Sequence, residues 1–123
     1  AIEARNSVSN DRYGSVIQSA KEYIEKNFSN GELSLNRIAA HIGVSPSYFS
    51  SIFKNYTGET FIEALTKKRI EKAKILLKNT QKKTYEIAAE VGYGDPHYFS
   101  SAFKKMTGMT PREYAKKALE EKI

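Results

Sequence analysis

Apolar residues recur at helical spacing along most of the chain, and the alternation of apolar and polar residues that indicates strands is absent from the sequence. Residues 11–28 form the first amphipathic stretch, which Asn30-Gly31 ends, and residues 61–77 form the longest one. The remaining predicted helices are 35–42, 46–56, 85–91, 96–106 and 111–119. The inward side chains expected on 61–77 are Ile62, Leu65, Arg69, Ala73 and Leu76. The pattern predicts an all-α fold of about seven helices.

The chain contains an internal repeat. The motif Ile-Ala-Ala-x-x-Gly at residues 38–43 returns at residues 87–92, forty-nine positions later. A second motif, Pro-x-Tyr-Phe-Ser-Ser-x-Phe-Lys, occupies residues 46–54 and returns at residues 96–104, after one extra residue in the second turn. The two halves of the chain therefore encode the same local structure twice.

Helix boundaries are marked in the same way in both copies. A side-chain acceptor precedes a proline at the first helical position, and a glycine follows the last apolar residue. The Thr-x-x-Glu runs at 60–63 and 110–113 have the spacing of capping boxes and predict that the next helices begin there. The expected caps are Ser45, Thr84 and Asp95 at N-termini, and Gly58 and Gly108 at C-termini.

Each copy meets the requirements of a helix-turn-helix unit. The first helix must approach the second closely, so a small residue lies at the contact and a glycine four residues later permits the turn, as at Ala39 and Gly43. A tight helical hairpin without any DNA partner explains one copy equally well, but two copies on a basic chain favour DNA binding. We expect a flexible N-terminal extension or linker remnant, a first helix-turn-helix lobe, a long connecting helix and a second lobe, at residues 1–12, 13–60, 61–77 and 78–123.

The second helix of each copy has two opposed faces. The predicted core face carries Phe49, Ile52, Phe53 and Tyr56, then Phe99, Ala102, Phe103 and Met106. The candidate DNA-binding face carries Ser47, Ser50, Ser51 and Lys54, then His97, Ser100, Ser101 and Lys104. Serine hydroxyls can form hydrogen bonds with base edges or phosphates, and lysine side chains are suited to contacts with the sugar-phosphate backbone that borders the groove. Because the first three positions of each face lack Arg, Gln and Asn, we expect weak direct readout in the first unit, with DNA shape supplying most discrimination.

Two reading helices on one chain predict a particular kind of DNA site. To enter successive major grooves on one face of a duplex, their centres must lie about 34 Å apart, one helical turn. A rigid connecting helix would hold that spacing. Because the copies differ, with Ser47 in one and His97 in the other, the expected site is asymmetric.

Composition narrows the classes of function. The net charge of +6 favours a polyanionic partner, although a solvated lysine-rich face explains it equally well. The whole excess lies in residues 61–123, with 14 basic and 8 acidic side chains, against 6 and 6 in residues 1–60. The sequence has no cysteine, no apolar run near the length of a membrane helix and no signal-peptide pattern, so we expect a cytoplasmic protein without membrane association.

The histidines and the remaining polar residues give no indication of a catalytic or metal site. His41 and His97 lie in different copies without a carboxylate or thiol at ligand spacing, so we expect no metal, no cofactor and no enzyme activity. The position of Arg69 on the apolar face of residues 61–77 favours a structural ion pair, with Glu86 or Asp95 as its partner, over the alternative of a phosphate contact. The alternative function from another class is a protein–protein adaptor that docks a partner through both lobes without DNA.

The second copy and its flanks carry a dense set of motif residues. They are Glu-Ile-Ala at 86–88, Val-Gly-Tyr at 91–93, Asp-Pro-x-Tyr-Phe-Ser at 95–100 and Gly-x-Thr-Pro at 108–111. With these motifs the chain resembles the AraC/XylS family of bacterial transcription regulators over residues 13–119. The resemblance implies a seven-helix domain in which the second helix of each lobe reads DNA. Carried over by position, the reading residues are Ser47, Ser50, Ser51, Pro96, His97, Ser100 and Ser101.

The resemblance also implies a larger regulator. Members of the family join this domain to a sensing part, such as a cupin-like sugar-binding domain or a phosphorylation-controlled receiver domain. We therefore expect the chain to be a C-terminal fragment of a longer protein that dimerises through the missing domain and that contacts RNA polymerase if it is an activator; the sequence leaves activation and repression open. The lysine-rich composition favours the response-regulator branch of the family.

Overall fold

The computed structural model describes the backbone of residues 2–122 and the side chains of residues 13–122. These residues form seven helices and no strand: α1 (Ile2–Asn27), α2 (Leu35–Ile42), α3 (Pro46–Thr57), α4 (Phe61–Asn79), α5 (Thr84–Glu90), α6 (Pro96–Thr107) and α7 (Pro111–Lys122). The predicted all-α class and helix number are confirmed. Helix α1 begins at Ile2 instead of near residue 11. The side chains of the predicted extension, residues 1–12, lie outside the described residues, and its flexibility stays a prediction.

The chain divides into two compact units, and the division falls inside α4. The first unit comprises Ala1–Asn27 and Leu33–Ala64, and the second comprises Phe28–Glu32 and Leu65–Ile123. The segment Phe28–Glu32 thus belongs to the second unit, although the helices on either side of it belong to the first. The predicted scheme, which gave the connecting helix a division of its own, stays a prediction.

The first unit is built from α1, α2, α3 and the beginning of α4. The hydroxyls of Ser34 and Ser45 each accept a backbone N–H from the first helical turn at 3.1 Å, which begins α2 and α3. Gly43 and Gly58 end these helices in the left-handed region, with φ of 90° and 84°. The buried apolar side chains are Ile17, Ala20, Ile24, Leu33, Ile38, Ala39, Phe49, Phe53 and Phe61.

The second unit repeats this plan on α4 to α7. The Asp95 carboxylate accepts the His97 N–H at 2.9 Å and begins α6. The expected N-cap at Thr84 is wrong, because Thr84 is the first residue of α5, and the Lys83 N–H instead donates to the Glu86 carboxylate at 2.9 Å. The contiguous core consists of Ile70, Ala73, Leu77, Ile87, Ala88, Val91, Tyr93, Phe99 and Phe103.

The buried face of α4 differs in part from the predicted one. Ile62 is 56% exposed, so its predicted inward position is wrong, whereas Phe61 before it is buried. The capping box formed by Thr60 and Glu63 places Phe61 at the first helical position. Buried residues then follow at every fourth position: Phe61, Leu65, Arg69, Ala73 and Leu77. Among the helices of residues 2–122, none combines the length and the apolar composition that a bilayer span requires.

Candidate nucleic-acid interface

The helix-turn-helix of the first unit turns at Gly43. The Gly43 N–H and the Val44 N–H both donate to the Ala39 carbonyl, at 2.9 and 3.0 Å. Ala39 is fully buried at the helix contact, as the repeat predicts. Among the described residues, and apart from the two chain neighbours of Gly43, no atom lies within 4 Å of the position that a Cβ on Gly43 would take, so the positive φ is what requires glycine here.

Helix α3 presents one apolar and one polar face. Phe49 and Phe53 are buried and contact the Phe61 ring edge-on, with centroids 6.0 and 6.4 Å apart. Tyr56, predicted to be core, is 50% exposed, so that prediction is wrong at the last turn of the helix. The DNA-binding candidates Ser47, Ser50, Ser51 and Lys54 are all exposed. The core of the unit therefore holds α3 while leaving a hydroxyl-rich face open to solvent.

The helix-turn-helix of the second unit turns at Gly92, under tighter packing. The Tyr93 N–H donates to the Ala88 carbonyl at 2.8 Å, and Gly92 has a φ of 106°. A Cβ on Gly92 would lie 2.7 Å from the Phe28 carbonyl oxygen and 2.9 Å from Nε of Arg69. Gly92 is thus required both by its backbone conformation and by the close approach of these two residues.

Arg69 fastens the segment Phe28–Glu32 beside this turn. Its Nε donates to the Phe28 carbonyl at 2.7 Å, and its Nη2 donates to the Asn30 carbonyl at 2.9 Å. The guanidinium also lies over the Tyr93 ring, 5.2 Å from its centroid. Burial lowers the pKa of Arg69, while the neighbouring Tyr93 opposes that change.

The predicted ion pair of Arg69 with Glu86 or Asp95 is wrong. Both carboxylates accept backbone N–H groups at helix N-termini, Glu86 at α5 and Asp95 at α6. Two backbone carbonyls take their place as acceptors, one for Nε and one for Nη2 of the buried guanidinium, so these two bonds need no second buried charge.

Helix α6 has the same two faces as α3, with some differences. Phe99 and Phe103 are fully buried, and Phe103 meets Tyr114 of α7 edge-on at 5.4 Å. Met106, predicted to be core, is 46% exposed, so that prediction is wrong at the helix end. Of the DNA-binding candidates, exposed positions are held by His97, Ser101 and Lys104, and half-buried ones by Pro96 and Ser100.

Two exposed residues extend these polar faces and were missed in the sequence analysis. Asn55 lies one helical turn beyond Ser51 on α3, and Lys105 lies one turn beyond Ser101 on α6. The i, i+4 spacing alone could have identified both. An asparagine side chain can make the paired contact with adenine that the serines cannot, so the first unit does offer one amide.

Each polar face carries, in the last turns of its helix, a lysine that lies near a capping glutamate. Hydrogen bonds from the backbone and hydroxyl of Thr60 lower the pKa of Glu63, and the charge of Lys54 lowers it further. The pKa of Glu113 is lowered in the same way by Thr110 and then by Lys104. The Lys54 ammonium also donates to the carbonyl of its own helix cap at 3.3 Å. Both lysines stay exposed at the C-terminal end of their helices.

The chain matches known proteins along most of its length. A family model described as a helix-turn-helix domain matches residues 38–117. The HTH-type transcriptional activator Btr of Bacillus subtilis (strain 168) is 41% identical over 81 residues, which cover 66% of this chain and 15% of Btr. The chain spans between 15% and 59% of the length of three curated relatives that it matches, Btr among them.

Two solved structures extend the match to the fold. The C-terminal domain of AraT, a response regulator from Geobacillus stearothermophilus, has a TM-score of 0.82 and 44% identity, covering 83% of this chain and 84% of that one. The C-terminal domain of the two-component response regulator yesN from Fusobacterium nucleatum has a TM-score of 0.77 and 38% identity, covering 78% and 93%. From its two helix-turn-helix units and these matches, the chain belongs to the AraC-type helix-turn-helix family of DNA-binding transcription regulators.

Proposed function

We propose that this chain binds double-stranded DNA sequence-specifically through α3 and α6, each entering a major groove, and thereby directs transcription. The observation that carries the proposal is the matched pair of helices whose inner faces are buried phenylalanines and whose outer faces carry serines, all exposed on α3 and partly exposed on α6, together with an exposed lysine. Both outer faces belong to the second helix of a helix-turn-helix, the element that enters the groove in such motifs.

The contacts proposed for the first unit are made by short side chains. Ser47, Ser50 and Ser51 would approach base edges, and Lys54 would approach a phosphate at the end of the helix. A serine makes one hydrogen bond where an arginine makes two, so we propose that thymine-methyl contacts and DNA shape supply much of the discrimination here. Asn55 is an added candidate for an adenine contact.

The contacts proposed for the second unit differ in chemistry. His97 is the second residue of α6, and the N-terminal residues of a recognition helix are the ones that contact base edges in the major groove. The exposed Ser101 lies one turn later. Pro96 and the half-buried Ser100 would make shorter-range contacts, and Lys104 would approach a phosphate. Because the two faces carry different side chains, the proposed site is asymmetric, with two elements about 34 Å apart, one helical turn.

Two substitutions on one helix test the proposed roles. We expect Lys104→Ala to weaken binding to every duplex sequence by a similar factor. We also expect it to reduce by about one the slope of the logarithm of the association constant against the logarithm of salt concentration, because one fewer counterion is released. We expect His97→Ala to change preference at particular positions, because imidazole bonds base edges. Both are measured by titrating a panel of single-base variants of a selected site. An equal loss across the panel for His97→Ala would refute its role in reading.

The site itself is tested by selection from a random duplex library. The expected result is an asymmetric sequence with two informative elements one turn apart. Recovery of a single element, or of a palindrome, would refute the proposed use of both helices by one chain. An absence of binding to any duplex at low salt would favour the adaptor alternative.

We further propose that the chain is the output domain of a larger response regulator. Support comes from the similarity of this chain to the C-terminal domains of AraT and yesN, both of which are response regulators. In that setting, dimerisation through a receiver domain would bring two copies to the DNA in the cytoplasm, and an activator would contact RNA polymerase. Transcription in vitro with purified polymerase, with and without the full-length phosphorylated protein, tests this extension.

A further inference from the structure

The second unit has a basic groove away from the reading face of α6. It lies between the C-terminal end of α4, with the residues that follow it, and one side of α7, and it has a volume of about 580 Å³. None of the residues that line it belongs to α6. This surface, which we name the α4–α7 groove, is not used in the proposed DNA contacts.

The charges that line the α4–α7 groove all have one sign. Among the residues that the structure describes, no acidic side chain lines it. The basic side chains that line it are Lys78, Lys82, Arg112, Lys116 and Lys122. Lys82 is paired with Glu90 at 2.7 Å, and the Lys122 ammonium donates to the Lys78 carbonyl at 2.6 Å, which joins α7 to the end of α4. Within the described residues, the side chains of Lys78, Arg112 and Lys116 have no hydrogen-bond or ion-pair partner.

The α4–α7 groove also has an apolar component. Leu77 and Ala115 form its inner side, and Leu119 is 62% exposed beside them. An exposed leucine next to a concave surface gains stabilisation when another apolar side chain covers it. Phosphates would be attracted by the lysines but would gain nothing from the leucines, so the combination favours a protein segment over a nucleic-acid backbone.

We propose that the α4–α7 groove docks an acidic amphipathic segment of a partner protein. Apolar side chains of the segment would cover Leu119 and Ala115, and its carboxylates would face Lys78, Arg112 and Lys116. Such a segment matches the groove in the two properties that the structure shows, its uniform positive charge and its apolar inner side. The proposal does not depend on which helices read DNA.

The test uses the chain with a fluorescent synthetic peptide of about 15 residues, four helical turns, in which Leu recurs every third or fourth position among Asp and Glu. A peptide of the same composition with its leucines dispersed around the helix is the control. We expect binding of the first peptide, detected by fluorescence anisotropy, to weaken with added salt, and the second to bind at least about tenfold more weakly. Equal binding of both peptides, or of neither, would overturn the proposal.

Matched variants locate the docking site. We expect Leu119→Ser to weaken peptide binding about tenfold and Lys116→Glu about fivefold. Lys72→Glu makes the same charge change at an exposed position of α4 outside the groove, and we expect less than about a twofold effect. Circular dichroism checks that each variant keeps its helix content, which these exposed positions should allow.

Duplex DNA binding, measured in parallel, separates this proposal from the proposed function. We expect Leu119→Ser to leave DNA affinity unchanged while peptide binding falls. If the Leu119 and Lys116 variants reduced DNA affinity and left peptide binding intact, the groove would belong to the DNA interface and the docking proposal would be wrong. Loss of DNA binding by His97→Ala would not affect the peptide result.

Discussion

The two turn glycines occupy the same place in the repeat but have different surroundings. Gly43 and Gly92 both end the Ile-Ala-Ala-x-x-Gly motif and both have positive φ. A side chain on Gly43 would enter open space, whereas one on Gly92 would meet the Phe28 carbonyl and the Arg69 side chain. At the residue scale, the same motif glycine is thus required at Gly43 by its backbone conformation alone, and at Gly92 also by the lack of space for a side chain.

This difference predicts unequal effects of alanine at the two positions. We expect Gly43→Ala to lower the free energy of unfolding by about 1 kcal/mol, the cost of a left-handed conformation for an L residue. We expect Gly92→Ala to lower it by about 2 kcal/mol more, because backbone atoms must move to admit the Cβ. Urea unfolding followed by circular dichroism measures both. Equal destabilisation would show that the contacts around Gly92 contribute nothing.

Asn55 provides a prediction about recognition. Its amide is exposed one turn beyond Ser51 on the proposed reading face. We expect Asn55→Ala to lose about 1–3 kcal/mol of discrimination at a single base pair, where adenine is preferred. Asn36→Ala, exposed on α2, is the control for removing a surface amide. Base-by-base titration of the selected site measures both, and no change for Asn55→Ala would exclude it from reading.

At the element scale, the helix that follows each proposed reading helix begins with the same reciprocal capping box. Thr60 and Glu63 exchange hydrogen bonds at 3.3 and 3.1 Å, and Thr110 and Glu113 do so at 2.9 and 3.1 Å. These bonds fix where α4 and α7 begin and hold the pKa of both glutamates below the ordinary value.

The lowered pKa values predict how stability depends on acid. A carboxyl group whose folded pKa is depressed contributes stability that is complete above its unfolded pKa and is lost as pH falls through the folded pKa. We expect the free energy of unfolding to decrease on acidification below the ordinary glutamate range. The double variant Glu63→Gln, Glu113→Gln should show a shallower decrease, since glutamine can still accept from the cap. An unchanged pH profile of urea unfolding in that variant would contradict the assignment.

Arg69 joins a loop to a helix, and its removal gives a second prediction at this scale. Arg69→Met keeps the apolar stem but leaves the Phe28 and Asn30 carbonyls without their donors. We expect a loss of about 2 kcal/mol in the free energy of unfolding. The exposed Lys67→Met should change it by less than about 0.5 kcal/mol. Similar losses for both variants would show that the bonds of Arg69 to the loop do not stabilise the second unit.

At the scale of the whole molecule, the distribution of charge predicts how DNA binding depends on salt concentration. The net charge of +6 comes entirely from residues 61–123. We expect the logarithm of the DNA association constant to fall linearly with the logarithm of salt concentration, by about 0.9 for each phosphate neutralised. Fluorescence titrations of random and selected duplexes across a salt series measure the slope. An affinity for DNA that did not change with salt concentration would contradict contacts between phosphates and the lysines of residues 61–123.

Short-range signals sufficed for the helices, their number and the helix-turn-helix identity. Proline after a capping acceptor, glycine after an apolar run and the repeated motif act within a few residues, so they can be interpreted without the fold. The polar faces of α3 and α6 followed from helical spacing in the same way. Errors occurred at the helix ends, at Ile62, Tyr56 and Met106, where the neighbouring elements decide which side chains are covered.

Contacts between residues far apart in the chain needed the tertiary structure. The Arg69 side chain donates hydrogen bonds to backbone carbonyls 41 and 39 positions away in the sequence. No local sequence pattern shows whether the acceptor of such a buried arginine is a carbonyl or a carboxylate. The tight surroundings of Gly92 and the α4–α7 groove arise in the same way, from segments that meet only when the chain folds. Backbone preferences are set by immediate neighbours in sequence, whereas burial and hydrogen-bond partners are set by whichever segments the fold brings together.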